Sequence, residues 1–276
     1  MNKKLLAIIL SGCLMASALT GCGSKDKEDA GDGVQKITVA VGNTFPPYAY
    51  TDENDKPAGY DVEVLKAIDE KLEQYEFEYQ SMDFKNILLS VESNKAQIGT
   101  QQFERNPERE EKYLYNDESF AKFTPYTVVG SNNNTIKSFE DLAGKTMILP
   151  TADNTEQSIN EFNEKHPDNP IKIKWMESGS TEETLALLES SDEYATPIIP
   201  VLINLINQEY GGKLKAVGEP IIRNDSYFLL NKDQTELKEA MDKALVELRE
   251  EGKLSELSMS TLGVDVTQDD GGIEVK

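Results

Sequence analysis

Lys36-Ile37-Thr38-Val39-Ala40-Val41, followed a short way on by Asp61-Val62-Glu63-Val64-Leu65-Lys66-Ala67-Ile68-Asp69-Glu70-Lys71-Leu72, decides the fold class of this chain. The first stretch alternates apolar and polar residues as a half-buried strand does. The second sets Val64, Leu65, Ile68 and Leu72 on one face at helical spacing. Together they predict a βα start. Further strands are predicted at Phe77 to Tyr79, Gln97 to Gln101, Tyr126 to Gly130, Thr146 to Pro150, Ile171 to Trp175, Leu214 to Val217 and Tyr227 to Asn231, with helices between most of them. Ser180 with Glu183 reads as a capping box ahead of Leu185 and Leu188, and Asp233 with Glu236 as another ahead of Leu237 and Met241. Such alternation defines an α/β chain. The polar run Ser131-Asn132-Asn133-Asn134 and the pair Asn224-Asp225 are the expected places for the chain to pass between lobes. No repeat of solenoid period is present.

Outward toward the N-terminus, Lys3 and Lys4 precede an apolar run from Leu5 to Ala18 that Ser11, Gly12 and Ser17 interrupt. It is too short and broken to span a bilayer stably, so residues 1–21 read as an export signal. Leu19-Thr20-Gly21-Cys22 resembles the lipobox of bacterial lipoproteins, in which Cys22 becomes the lipidated N-terminus. Two acyl chains there give stable anchoring, since each buried methylene contributes roughly 0.8 kcal/mol and one chain alone binds marginally. The alternative is a plain secretory signal with an incidental cysteine. Residues 22–35, charged and nearly free of apolar side chains, read as a flexible tether.

Cys13 and Cys22 are the only cysteines. With one in the signal and the other lipidated, the body has none to pair, and disulfides do not hold it. Roughly 230 residues follow the tether, enough for one large domain or two small ones with real cores. Loss of Lys3 and Lys4 takes the formal charge from −22 to −24, which repels nucleic acid. His166, the single histidine, sits in a polar loop without a ligand set, so neither a metal centre nor histidine-based catalysis has its parts. Gly211-Gly212 lacks the spacing of a phosphate cradle. No cofactor is expected, and binding of a small molecule is the default function.

Phe103-Glu104-Arg105-Asn106-Pro107-Glu108-Arg109 follows the predicted strand Gln97 to Gln101. Pro107 suits a first helical turn, which holds Arg109 near a strand's carboxyl end, where open α/β sheets place ligands. A guanidinium there grips a carboxylate through two parallel hydrogen bonds. The plain alternative is a surface arginine paired with Glu108 or Glu110.

Val39-Ala40-Val41 leading to Phe45-Pro46-Pro47-Tyr48, Gly59-Tyr60-Asp61-Val62-Glu63, Asn106-Pro107-Glu108-Arg109, Leu142-Ala143-Gly144-Lys145, the helix start at Asp153 and the segment Asn231 to Lys253 together resemble the family 3 solute-binding proteins, receptors of polar amino-acid ABC transporters. The resemblance implies a type II periplasmic-binding-protein-like fold, two α/β lobes joined by a two-stranded hinge and closing over a ligand. Lobe one would span 36–125 plus 227–267 and lobe two 126–226, with a tail at 268–276. By the same resemblance Arg109 grips the ligand carboxylate, and Thr155 holds it from a lobe-two helix start with its hydroxyl and free first-turn N–H groups. Phe45 and Phe84 sandwich the ligand's side chain. Gln101 and Gln102 stand where the family often has small hydroxyl residues. For Tyr60, core packing is the better reading.

One departure stands out. The family usually places an aspartate in lobe two for the ligand ammonium, but the matching stretch, Tyr194-Ala195-Thr196-Pro197-Ile198-Ile199-Pro200, carries no carboxylate. Either Glu104, Asp153 or another acid takes that part, or the ligand is not a simple α-amino acid. The wording around Arg109 resembles the cystine-type branch. The implied protein is a monomeric receptor held at the outer face of the cell membrane, serving a permease and ATPase. The rivals are a dehydratase-like enzyme using Glu104 as general acid, and a ligand-sensing or adhesion lipoprotein.

Overall fold

The computed structural model describes residues 33–150, 153–176 and 180–268. Residues 1–21, Cys22 and most of the tether, and the tail beyond 268, lie outside the described residues. In chain order, β1 (Gln35–Gly42) leads through three short strands, β2 (Thr44–Phe45), β3 (Ala49–Thr51) and β4 (Pro57–Ala58), into α1 (Tyr60–Asp69), followed by β5 (Tyr75–Met82), α2 (Phe84–Glu92) and β6 (Ile98–Phe103). Next come α3 (Pro107–Lys112), β7 (Tyr113–Tyr115), β8 (Ala121–Phe123), β9 (Tyr126–Gly130), a single 3-10 turn, β10 (Thr146–Pro150) and α4 (Thr155–Lys165). The chain continues through β11 (Lys172–Met176), α5 (Thr181–Ser190), β12 (Tyr194–Ile198), α6 (Pro200–Tyr210), β13 (Leu214–Pro220), β14 (Asn224–Asn231), α7 (Thr235–Glu250) and α8 (Lys253–Leu262). Among the described residues no helix is long and apolar enough to cross a membrane.

Two large sheets organise these elements, beside a small three-stranded one in the order β2-β3-β4. The first runs β5-β1-β6-β14-β7, with β8 paired to β14; the second runs β11-β10-β12-β9-β13. In each, three parallel strands are extended by antiparallel ones. β1 is central and buried on both faces from Val39 onward, so the half-buried pattern holds only at its start. Its Ile37, Val39 and Val41 pack with Leu65 and Ile68 of α1 and with α7 and α8. Ala40 faces the other way, toward Ile87 and Val91 of α2. The second sheet buries Met147 and Leu149 against Ile159 and Phe162 of α4 on one face, and Val128 and Ile148 against Leu185, Leu188 and Ile203 on the other. Each sheet is thus covered on both sides, as parallel sheets require.

The molecule is a two-lobed α/β fold of the type II periplasmic-binding class, its lobes joined by two crossovers. The chain leaves the first sheet after Phe123 and enters the second at Tyr126; it returns between Pro220 and Asn224. The crossovers run side by side. β8 pairs with β14 through Phe123 and Asn224, Pro220 stands opposite Tyr126, and the Ile221 N–H donates to the Pro125 carbonyl at 2.8 Å. Of the two expected passages, Asn224-Asp225 falls where the second one ends. Ser131 to Asn134 does not serve as the first, because β9 before it already belongs to the second sheet. There the buried Asn133 carboxamide oxygen accepts from the N–H groups of Thr135 (3.0 Å) and Ile136 (3.1 Å), closing a local turn.

One of the two predicted capping boxes sets a helix start. Ser180 accepts from the Glu183 N–H at the head of α5, as its spacing predicts. The second predicted capping box does not form: α7 begins at Thr235 with no side-chain cap, and the Asp233 N–H is taken by the Asn231 side chain at 2.9 Å. That turn delays the helix past Asp233.

Candidate functional site: the cleft between the lobes

The last residues of β6 set the lobe-one side of the cleft. Asn106 caps α3 by accepting from the Arg109 N–H at 2.9 Å, with Pro107 in the first turn, so the FERNPER stretch folds as its spacing requires. The Arg109 guanidinium lies 5.7 Å from the Phe84 ring and 5.4 Å from the Phe103 ring, and Nη1 donates to the Glu104 carbonyl at 3.3 Å. It makes no ion pair among the described residues. The neighbours suspected of pairing with it are otherwise engaged: Glu108 reaches Lys112 and Glu110 reaches Arg105.

Two adjoining cavities occupy the cleft. The larger, about 410 Å³, has Phe45 and Glu104 on the lobe-one side, Phe123, Pro125 and Ile222 at the hinge, and Asp153, Asn154, Thr155 and the β12 end on the lobe-two side. It deepens into lobe two between α5 and α6, along Leu185, Leu202, Ile206 and Leu214. The smaller holds Arg109 with Asn106 and faces Gln157, Ser158 and Glu161 of α4. Glu104, Asn154 and Ile222 border both.

Glu104 bridges the lobes. One oxygen accepts from the Asn154 amide of lobe two at 3.0 Å, and the other accepts from the Asn224 amide at the start of β14. Burial pushes its carboxyl above the usual range, with a smaller push from Asp153, while the two amides and Arg109 pull it back. Asp153 is committed differently: its Oδ1 accepts the Thr155 N–H at 2.7 Å.

The sequence-derived residues therefore separate. Arg109, Glu104, Phe45 and Thr155 all border the cleft, but Arg109 and Thr155 line different cavities. The first-turn N–H of Thr155, expected to be free for a ligand, is occupied by Asp153, and those of Glu156 and Gln157 donate to the Asp153 and Asn154 carbonyls. Phe45 stacks on Tyr48 at 5.3 Å, whereas Phe84 lies against Phe103 at 5.3 Å and under Arg109. The two rings do not flank one cavity.

Gln101 lies over Gly42, where a Cβ would sit 2.0 Å from its Oε1, and that buried oxygen has no hydrogen-bond partner among the described residues. Gln102 turns inward. Its Nε2 and backbone N–H donate to Asp61 at 2.7 and 3.1 Å, Thr100 donates to the same carboxylate at 2.7 Å, and Ser226 of β14 donates to Gln102 Oε1 at 2.7 Å. The backbone of Gln102 is left-handed, φ 49°, a conformation these bonds hold against a cost of roughly 1 kcal/mol. Tyr60 is fully buried, its hydroxyl donating to the Phe120 carbonyl at 2.8 Å. His166 is exposed, stacked on Phe162 at 4.1 Å, and Trp175 stands half-exposed on the edge strand β11. Sequence reasoning missed Asn154 and Asn224, amides far apart in the chain. It also missed the α5–α6 wall, to which the apolar run Pro200 to Ile206 was a usable pointer.

Paired α/β lobes with a polar mouth at the hinge and an apolar recess running into one lobe define a binding protein for small solutes. The chain belongs to the bacterial extracellular solute-binding proteins, family 3, which it matches over residues 37–263. It is 34% identical to the L-cystine-binding protein TcyK of Bacillus subtilis over 264 residues, covering 96% of this chain and 94% of that protein. Among solved structures it resembles the probable amino-acid ABC transporter extracellular-binding protein YtmK of B. subtilis, at 35% identity and a TM-score of 0.76, covering 84% of this chain and 99% of that one. A putative L-cystine ABC transporter protein from Listeria monocytogenes is 36% identical at a TM-score of 0.67, covering 86% and 100%.

Proposed function

We propose that this protein is the substrate-binding component of an ABC importer, not an enzyme, and that it captures a polar amino acid of cystine type by closure of its lobes and delivers it to a permease driven by an ATPase. The observation that carries the reading is Arg109: a guanidinium without an ion pair among the described residues, held by a capped helix at the end of β6 and facing the first turns of α4 across the cleft. Such a group takes a carboxylate through charge-assisted hydrogen bonds. The larger cavity beside it, walled by threonines and aliphatic side chains, suits the body of an amino acid. Phe45 and Thr155 line that body's path, and Phe84 supports the guanidinium, while Gln101 lines neither cavity. Gln102 acts from behind, by fixing the strand end. The names of TcyK and its Listeria counterpart support the cystine leaning.

The proposed receptor works as a monomer on the outer face of the cell membrane. Residues 1–21 export it, lipid on Cys22 anchors it, and the tether keeps it near its permease, raising the local concentration. A panel of the standard amino acids, L-cystine and small carboxylates, read by calorimetry and by small-angle scattering, tests the function. L-Cystine or a close analogue is expected to bind and to contract the molecule. Binding by no amino acid in the panel would remove the reading.

A further inference from the structure

We propose that Glu104 receives the ligand's ammonium group, so that Glu104 and Arg109, side by side at the end of β6, select for a zwitterion. This assignment rests on the amino-acid reading above. Three observations on the cleft carry it.

The lobe-two stretch where the family resemblance places an aspartate supplies Thr196, Pro197 and Ile198 to the cavity wall, and none of them can balance a cation. The described residues of the larger cavity include two carboxylates, Glu104 and Asp153, and no cationic side chain. Asp153, one oxygen of which accepts the Thr155 N–H, borders only the larger cavity. Glu104 borders both cavities and so adjoins the one that holds Arg109. The partners of Glu104 are the neutral amides of Asn154 and Asn224, it makes no ion pair among the described residues, and Arg109 reaches its backbone carbonyl rather than its carboxylate.

A half-buried carboxylate with no ion pair among the described residues is costly, and burial already raises its proton affinity. An arriving ammonium would relieve that cost with three N–H donors. The same residue closes the circuit of the cleft, because Asn154 belongs to lobe two and Asn224 to the hinge strand β14. Ammonium binding at Glu104 is thereby placed where the lobes meet, and a ligand lacking the amine forfeits that contact while keeping its hold on Arg109.

Two probes separate the contributions: L-cystine, and 3,3′-dithiodipropionate, which keeps the disulfide and both carboxylates but has no amine. Titration of the purified full chain is expected to favour cystine by about tenfold or more, the range of a charge-assisted hydrogen bond. In Glu104→Gln, which keeps the side chain's length and can still accept from one of the two amides, that preference collapses toward unity, over and above any loss common to both probes. A preference in Glu104→Gln equal to that of wild type would overturn the assignment and leave the amino-acid reading standing. Equal weakening of both probes would also overturn it, showing Glu104 to be only a clasp between lobes. Failure of wild type to bind either probe counts against the cystine reading and removes this assignment with it.

Discussion

Arg109 draws its reach from three ordinary things: a strand that ends at Phe103, an asparagine cap and a proline in the first turn. Replacing it with alanine should weaken the bound amino acid by at least ~1.5 kcal/mol, more than tenfold, without loss of fold, because the side chain packs on ring faces at the cleft and its hydrogen bond to the Glu104 carbonyl is long, at 3.3 Å. Unchanged calorimetric affinity of Arg109→Ala would take Arg109 out of the site. This residue was legible because all its determinants are local in sequence. Gln102 was not: alternation along a strand says nothing of a left-handed residue at its end, and the bonds that hold it come from Asp61 and Ser226, distant in the chain. Asn154 and Asn224 were hidden for the same reason, since an amide becomes a partner of Glu104 only once both lobes and the hinge are assembled.

Among elements, the buried network joining α1, β6 and β14 is the most consequential. Asp61, at the start of α1, is fully buried and accepts from Thr100 and Gln102, which in turn binds Ser226 on the strand that leads out of the hinge. Burial pushes the Asp61 carboxyl up to about 6, and its hydrogen bonds only partly offset this. A raised folded value means that the native state holds the proton more tightly than the unfolded chain. The contribution of this group to stability is therefore present at low pH and is lost as pH rises from about 4 through about 6, by about 3 kcal/mol. Urea unfolding of wild type and Asp61→Asn across that range checks the sign. The stability of wild type relative to the variant should fall as pH rises; a difference flat in pH would show that Asp61 does not titrate in this window. Most elements were readable from periodicity, but β2, β3, β4, β7, β8 and β12 were not among the expected strands. The first five have only two or three residues each, and β12 carries a proline, so neither alternation nor composition marks them.

For the whole molecule, the proposed anchor and the fold are separable. The expected lipid lies at Cys22, ahead of the ordered body that begins near Gln35. Cys22→Ala is expected to move the protein from the membrane fraction to the soluble extracytoplasmic fraction while leaving amino-acid affinity unchanged. Retention of the variant in the membrane would place the attachment elsewhere. The strong negative charge of the chain does not oppose this arrangement, since acyl chains hold through burial of methylenes rather than through charge.

The wall of the larger cavity carries a chemical consequence for the cargo proposed here. Threonines, aliphatic side chains and two phenylalanines make up most of it, with Glu104, Asp153 and Asn154 at the mouth, and past Cys22 the chain contains no sulfhydryl at all. Opening a disulfide by exchange needs an attacking thiolate, and none exists anywhere in the body. A cystine held in this recess would meet no nucleophile able to form a mixed disulfide, and would leave with its sulfur–sulfur bond intact whatever its residence time.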